Sequence, residues 1–349
     1  MNYRLHDIVI TGWSAVTAAG NGMGPLLELV RSGGDALTPV PADLTGSDRY
    51  RWGKANGFRA TDFIPPLKAR KMDRCSQFAV AAAGLALKDA GIDPRGMNPE
   101  RIGIALGCGF GGVANSAEFL TGYFASGVEG LEPMLFPNTV TNAPASNASI
   151  EHGLKGPNIT LVQRFCSAES AMLVACRFIA DGRADVMLAG GADDLTPLMI
   201  QGFRATGQLR RYASCFGEGS GILVLESAGH AARRGAMAKG VVASVATIGL
   251  LITGLEREGL DRLIPPVGTD SLISFSGTAQ EVLQLGERFA GRETIAIDSV
   301  VGRSMAMGGT AMAVLLSSLG AGREGLHLAA SPEGPWYAIR LSGGSPVQP

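Results

Sequence analysis

The chain has 349 residues, with 30 basic and 31 acidic side chains and a net charge of -1, a balance that gives no global attraction to nucleic acid or to an anionic membrane surface. Apolar residues make up 46% of it, yet no run approaches the roughly 20 that cross a bilayer. The opening MNYRLHDIVITG lacks the basic, apolar and small-residue order of a signal peptide, so a cytoplasmic location is expected.

In chain order, short β-branched runs alternate with helical stretches. Strands are predicted at Asp7–Gly12, Ile102–Leu106, Ile159–Gln163, Asp185–Ala189 and Ile222–Glu226. A second set is predicted at Val241–Ile248, Leu272–Phe275, Ile295–Val300 and Tyr337–Leu341. Such continuous apolar strands suit a sheet covered on both faces. Asp73 to Ala90 is a predicted helix, with Phe78, Ala82, Leu85 and Ala86 at helical spacing and Gly91 and Pro94 beyond its end. Ser167 to Asp181 is another. Ser304 to Leu319 is a third, apolar nearly all round and therefore expected to be buried. Ala231–Gly240 reads as a surface helix and connector. The strand sets divide near residue 235, so two fused halves are expected, 1–235 and 236–349, with buried helices between two sheets.

The chemistry-bearing residues are dispersed. The cysteines (Cys75, Cys108, Cys166, Cys176, Cys215) form no C-x-x-C pair, and the histidines (His6, His152, His230, His327) stand singly. No metal site or disulfide framework is expected, and no cofactor. Gly107–Gly112 is a glycine-rich turn without the spacing of a nucleotide-binding fingerprint. Asn147 and Asn158 open glycosylation-type triplets, which carry no meaning in a cytoplasmic chain.

Several motifs in register resemble the β-ketoacyl synthase family. IVITGWSAVTAAGNG is similar to its first strand and turn, and RKMDRCSQFAVAAAGLALKDAGI to its Arg-Met-Asp-Arg helix. GLKGPNITLVQRFCSAESAMLVACRFIADGRADVMLAGGAD resembles the nucleophile turn with its buried helix, and FGEGSGILVLES the Gly-Glu-Gly-x-Gly strand. The resemblance implies a thiolase-like fold, α/β with duplicated halves stacked as a five-layer α/β/α/β/α sandwich. It also implies a catalytic cysteine, two histidines and a lysine, and here the chain departs. Phe165 falls at the nucleophile position. SFSGT puts Ser276 at the first histidine, and DSVVGR puts Asp298 at the lysine and Arg303 at the second histidine. Without a nucleophile the acyl-enzyme route does not exist. Cys166 is the alternative nucleophile, but successive residues at a helix start point about 100° apart.

By resemblance the chain looks like a chain-length factor of a type II polyketide synthase. That would be a noncatalytic subunit paired as a heterodimer with an active ketosynthase, shaping the tunnel for a growing acyl or polyketide chain delivered by an acyl carrier protein. Phe110 and Leu135 match positions that line or cap the acyl pocket, and EPMLFPNTVTNAPASNAS matches the segment that crosses the dimer interface. Lys155, Arg164, Arg210 and Arg211 are candidates for a carrier docking patch, with a solvated surface as the competing reading. The loop before Gly-Glu-Gly and the region Leu250 to Ser271 are abbreviated, and only LSGG, Leu341 to Gly344, stands near the expected glycine-rich gating loop. These features resemble highly reducing, polyene-making systems. An atypical condensing enzyme using Cys166, and a stand-alone acyl-binding or decarboxylating homodimer, are the competing readings.

Overall fold

The computed structural model describes residues 2–4, 7–264 and 266–344. Its first half contains β1 (Ile8–Thr17), α1 (Arg74–Asp89), β2 (Ile102–Gly107), α2 (Val113–Ser126), α3 (Ala143–His152), β3 (Asn158–Leu161), α4 (Ser167–Ala180), β4 (Val186–Asp193), α5 (Pro197–Ala205) and β5 (Gly219–Ser227). The second contains β6 (Gly240–Ile248), α6 (Glu256–Leu263), β7 (Leu272–Gly277), α7 (Ala279–Arg288), β8 (Thr294–Ile295), α8 (Gly308–Ser318), β9 (Glu324–Ala330) and β10 (Trp336–Gly343).

These strands follow one hydrogen-bonded order, β8-β7-β9-β10-β6-β1-β5-β4-β2-β3. In each half the first strand pairs antiparallel with the fifth, the fifth antiparallel with the fourth, and the fourth, second and third run parallel. The same topology therefore occurs twice, which is the duplication that the sequence shows only as two sets of strands. The two sheets expected from the sequence are joined: β1 and β6 pair through Gly240 with Ile10 and Val241 with Val9. The sheet folds back on itself across that seam. Helix α8 touches β1, β4 and β5 on one side and β7, β9 and β10 on the other. Helix α4 lies beside it against β2, β3 and β4, while α1 covers the outside of the first half and α6 and α7 the outside of the second.

Local chemistry sets the helix ends. The Asp73 carboxylate accepts from Ser76 N–H at 3.3 Å and caps α1. Ten of the sixteen α1 residues are buried, half of them alanine, so the helix lies close to the sheet. Three expectations change. Ile295–Val300 yields only the two-residue β8, followed by a short helical turn, Asp298–Val301. The third predicted helix starts at Gly308, because Met305 to Met307 are held as a loop by the Asp193 carboxylate, which accepts from Ala306 N–H at 2.7 Å. The strand β9 had no predicted counterpart, and the connector helix spans only Ala228–Arg233. LSGG lies on β10 and just past its end, with the β9–β10 turn at residues 331–335.

Candidate functional site

The two inner helices begin at corresponding places in the two halves, after β3 and after β8, and their approach turns meet. After β3 the chain turns through Arg164–Cys166 into α4. Arg164 takes the left-handed conformation, φ 50°, a strain of about 1–3 kcal/mol for a non-glycine residue. The Ser167 hydroxyl secures the turn: it accepts from Gln163 N–H at 3.0 Å and donates to Arg164 O at 2.7 Å. Gly107 faces this turn because a Cβ there would collide with the backbone of Ser167 and Ala168.

Phe165 and Cys166 leave the turn on different sides. Phe165 is 0% exposed and packs with Tyr50, Leu195, Phe203, Tyr212, Phe216 and Met305. Its ring meets Tyr212 edge-on, centroids 5.1 Å apart, and Tyr212 in turn packs at a tilt against Phe203 and Phe216, each at 4.9 Å. Burying such a ring contributes about 1.5–3 kcal/mol. The space left among Phe110, Asp193, Tyr212 and Met305 is about 10 Å³, at the lower limit for one water. Cys166 instead joins the core between sheet and inner helices, with Ala105 and Met172. Burial, and then the nearby Glu169 carboxylate, push its thiol well above the ordinary range, which disfavours the thiolate that does nucleophilic chemistry.

The other changed positions converge on the end of β7. Ser276 is buried and donates to Glu169 Oε1, one turn into α4. His327, on the neighbouring strand β9, donates from Nε2 to the same oxygen at 2.9 Å, and its Nδ1 lies 2.9 Å from the Ser274 hydroxyl. Glu169 Oε2 has no partner among the described residues. Beside this network Arg303 is 4% exposed. It donates to Gly277 O and pairs with Asp298, so the two opposite charges neutralise one another.

Two carboxylates complete the surroundings. Asp193 accepts from Gly109 N–H at 2.7 Å as well as from Ala306 N–H, tying the glycine-rich turn to the loop before α8. Burial pushes Asp193 and Asp194 up to about 7, Asp194 with help from Asp73, Asp193 and Glu218. Among the described residues no group of three or more His, Cys, Asp or Glu is placed to hold a metal. The arrangement fills the volume around Phe165 and pairs the Arg303 and Asp298 charges with one another.

The family model for the β-ketoacyl synthase N-terminal domain matches residues 5–231. The chain belongs to the β-ketoacyl synthase family. It is 32% identical over 247 residues to 3-oxoacyl-[acyl-carrier-protein] synthase 2 of Vibrio cholerae, covering 66% of this chain and 60% of that protein. It is 29% identical over 253 residues to the synthase of the same name from Synechocystis, covering 67% and 61%. The chain thus matches about 60% of the length of these curated relatives. Among solved structures, a type II polyketide synthase acyl-carrier protein in complex with its ketosynthase superposes with a TM-score of 0.78 at 19% identity, covering 98% of this chain and 100% of that one. The ishigamide ketosynthase/chain length factor gives 0.76 at 23%, covering 97% and 99%. A β-ketoacyl synthase from Burkholderia phymatum gives 0.79 at 20%, covering 97% and 99%. The fold is thiolase-like.

Within this family member, the residues singled out from sequence separate. Phe110 is half-buried against the Phe165 cluster, 5.9 Å from the Phe203 ring, with the Arg164 guanidinium 5.6 Å above its own ring. Leu135 is half-buried in the loop after α2, outside that cluster. Arg164, Arg211 and Arg303 all surround Tyr212 electrostatically, and Arg211 pairs with Glu333. Arg210 is exposed. Lys155 lies before β3, its N–H bonded to Pro99 O, so the strand separates it from the arginines; the four do not form one patch. Histidines that stand singly in the sequence have partners in space: His327 with Glu169, His230 with Glu226, and His152 with Val80 O. Sequence reading missed Glu169, whose signal was an acidic residue in the first turn of a mostly small and apolar helix. It missed His327 with its strand, and Tyr212 had no signal. No helix among the described residues is long and apolar enough to cross a membrane.

Proposed function

We propose that this chain is a noncatalytic ketosynthase-like subunit, a chain-length factor, that pairs with an active ketosynthase and walls the channel in which a carrier-bound acyl chain grows. The observation that carries the reading is the Phe165 ring, fully buried where a thiolate would have to stand and be reached. Ser276 and the Arg303–Asp298 pair stand where the resemblance puts the two histidines and the lysine, and losing even one acid–base group costs about 10²–10⁴ in rate. Bond making then belongs to a second chain.

The surface supports a partner of the same fold. β3 is the last strand of the hydrogen-bonded order, with one edge unpaired, and unpaired strand edges recruit further strands. On α2 and the loop after it Leu120, Phe124, Val128, Met134 and Phe136, and just past β3 Val162, are each 47–79% exposed, and apolar surface of this extent marks an interaction site. A ketosynthase with an equivalent edge strand can extend the sheet and cover these side chains. Phe110 then stands on the wall of the shared channel.

The test is co-expression with an active ketosynthase, then incubation with acyl-loaded carrier protein and intact mass measurement of both chains. The expected result is a stable two-chain complex with the acyl adduct confined to the partner. An acyl adduct on this chain would overturn the reading.

A further inference from the structure

The exposed Arg164 presents an unmatched charge at the edge of the surface that the heterodimer reading assigns to the partner. Its guanidinium lies over the Phe110 ring and makes no ion pair or side-chain hydrogen bond among the described residues. Two other arginines near Tyr212 are matched: Arg211 pairs with Glu333 and Arg303 with Asp298. The backbone of Arg164 is strained, φ 50°, and Ser167 and Gln163 hold that strain in place. The side chain is thus aimed by the fold and left without an acceptor. Val162, two residues before it, is 47% exposed beside the end of the free edge strand β3. A chain that pairs with β3 takes this guanidinium out of water. A buried guanidinium without an anion is strongly unfavourable, whereas one fork-paired with a carboxylate gains both affinity and register.

We propose that Arg164 is a recognition residue for the partner subunit, which presents an aspartate or glutamate to it at the rim of the interface. Phe110 holds the guanidinium in place before association by cation–π contact, so little side-chain freedom is lost when the pair forms. The inference rests on the heterodimer reading and adds the chemistry of the contact. It also gives the strained turn, kept here without a nucleophile, a present use.

The experiment measures the dissociation constant of the two-chain complex by sedimentation at low and moderate salt, with the full-length chains. Arg164→Gln is expected to weaken pairing about tenfold and Arg164→Glu about a hundredfold, through unpaired and like charge respectively. Arg183→Glu, exposed beyond the far end of α4, stays within about threefold of wild type because an isolated rim charge contributes little. Arg164→Gly suits the left-handed turn and keeps the fold, yet still loses about tenfold in affinity, which separates recognition from misfolding. Wild-type chains that do not pair at all would sink the heterodimer reading itself. Pairing that survives Arg164→Glu and Arg164→Gly unchanged would sink only this inference. So would a changed product profile at unchanged affinity, which would place the guanidinium against the acyl chain.

Discussion

Asp194 shows how much a single buried group decides here. Its carboxyl is pushed up to about 7 by burial and by three neighbouring acids, and its Oδ2 has no partner among the described residues. An aspartate in the unfolded chain titrates near 3.9. The folded state therefore holds this proton more tightly, and the stability it contributes is full below about 4 and lost as pH rises through about 7. Wild type is expected to lose stability between about pH 4 and pH 7, and Asp194→Asn to flatten that slope and raise the urea midpoint at the upper end. An Asp194→Asn variant with the wild-type slope would show that the proton resides elsewhere. Asp193 titrates in the same window, but its two backbone donors make the asparagine swap there costly. At this scale Phe165, Ser276, Asp298 and Arg303 could be singled out from sequence, because each interrupts a motif with fixed spacing that the family resemblance supplies. Glu169 and His327 were not, being 158 positions apart and joined only by the fold.

At the scale of elements, the surface around β3 and α2 is the informative one. Phe124 is 79% and Val128 77% exposed, beyond what packing within this chain requires. Phe124→Asp combined with Val128→Asp is expected to leave the thermal midpoint of the isolated chain within a few degrees, since exposed positions contribute little to folding. The same pair should abolish co-purification with the ketosynthase, where the charges would be buried. Retained co-purification would place the interface on another face. Element boundaries follow the same logic. The continuous apolar strands β2, β4 and β5 were evident from composition, being buried on both faces. β9 escaped because Gly325 and His327 interrupt its apolar run, and β8 was overextended because IAIDSVV reads as strand while Asp298–Val301 closes into a helical turn.

For the whole molecule, the Glu169 network is a seam between halves: α4 comes from the first, while β7, β9 and α8 come from the second. Gly308, at the start of α8, is where the Glu169 carboxylate lies, and a Cβ there would overlap it. Gly308→Ala is expected to destabilise by about 1–3 kcal/mol through overpacking. Glu169→Ala, which strips the acceptor from Ser276 and His327, should cost about 1–3 kcal/mol. The double variant should be less unstable than the sum, since removing the carboxylate makes room for the methyl group. Additive losses in urea denaturation would show that the two residues do not share this space.

By itself the sequence determined the α/β alternation and the family resemblance through motifs in register, and it pointed to Phe165, Ser276, Asp298 and Arg303 as departures from those motifs, all of which depend on residue type and local spacing. Only the tertiary structure decided that the two sheets join, that Phe165 and Cys166 enter different cores, that Arg303 finds Asp298, and that Glu169 and His327 meet. Those outcomes depend on which side chains share a volume once distant strands pair, and strand pairing places together residues whose separation along the chain carries no signal.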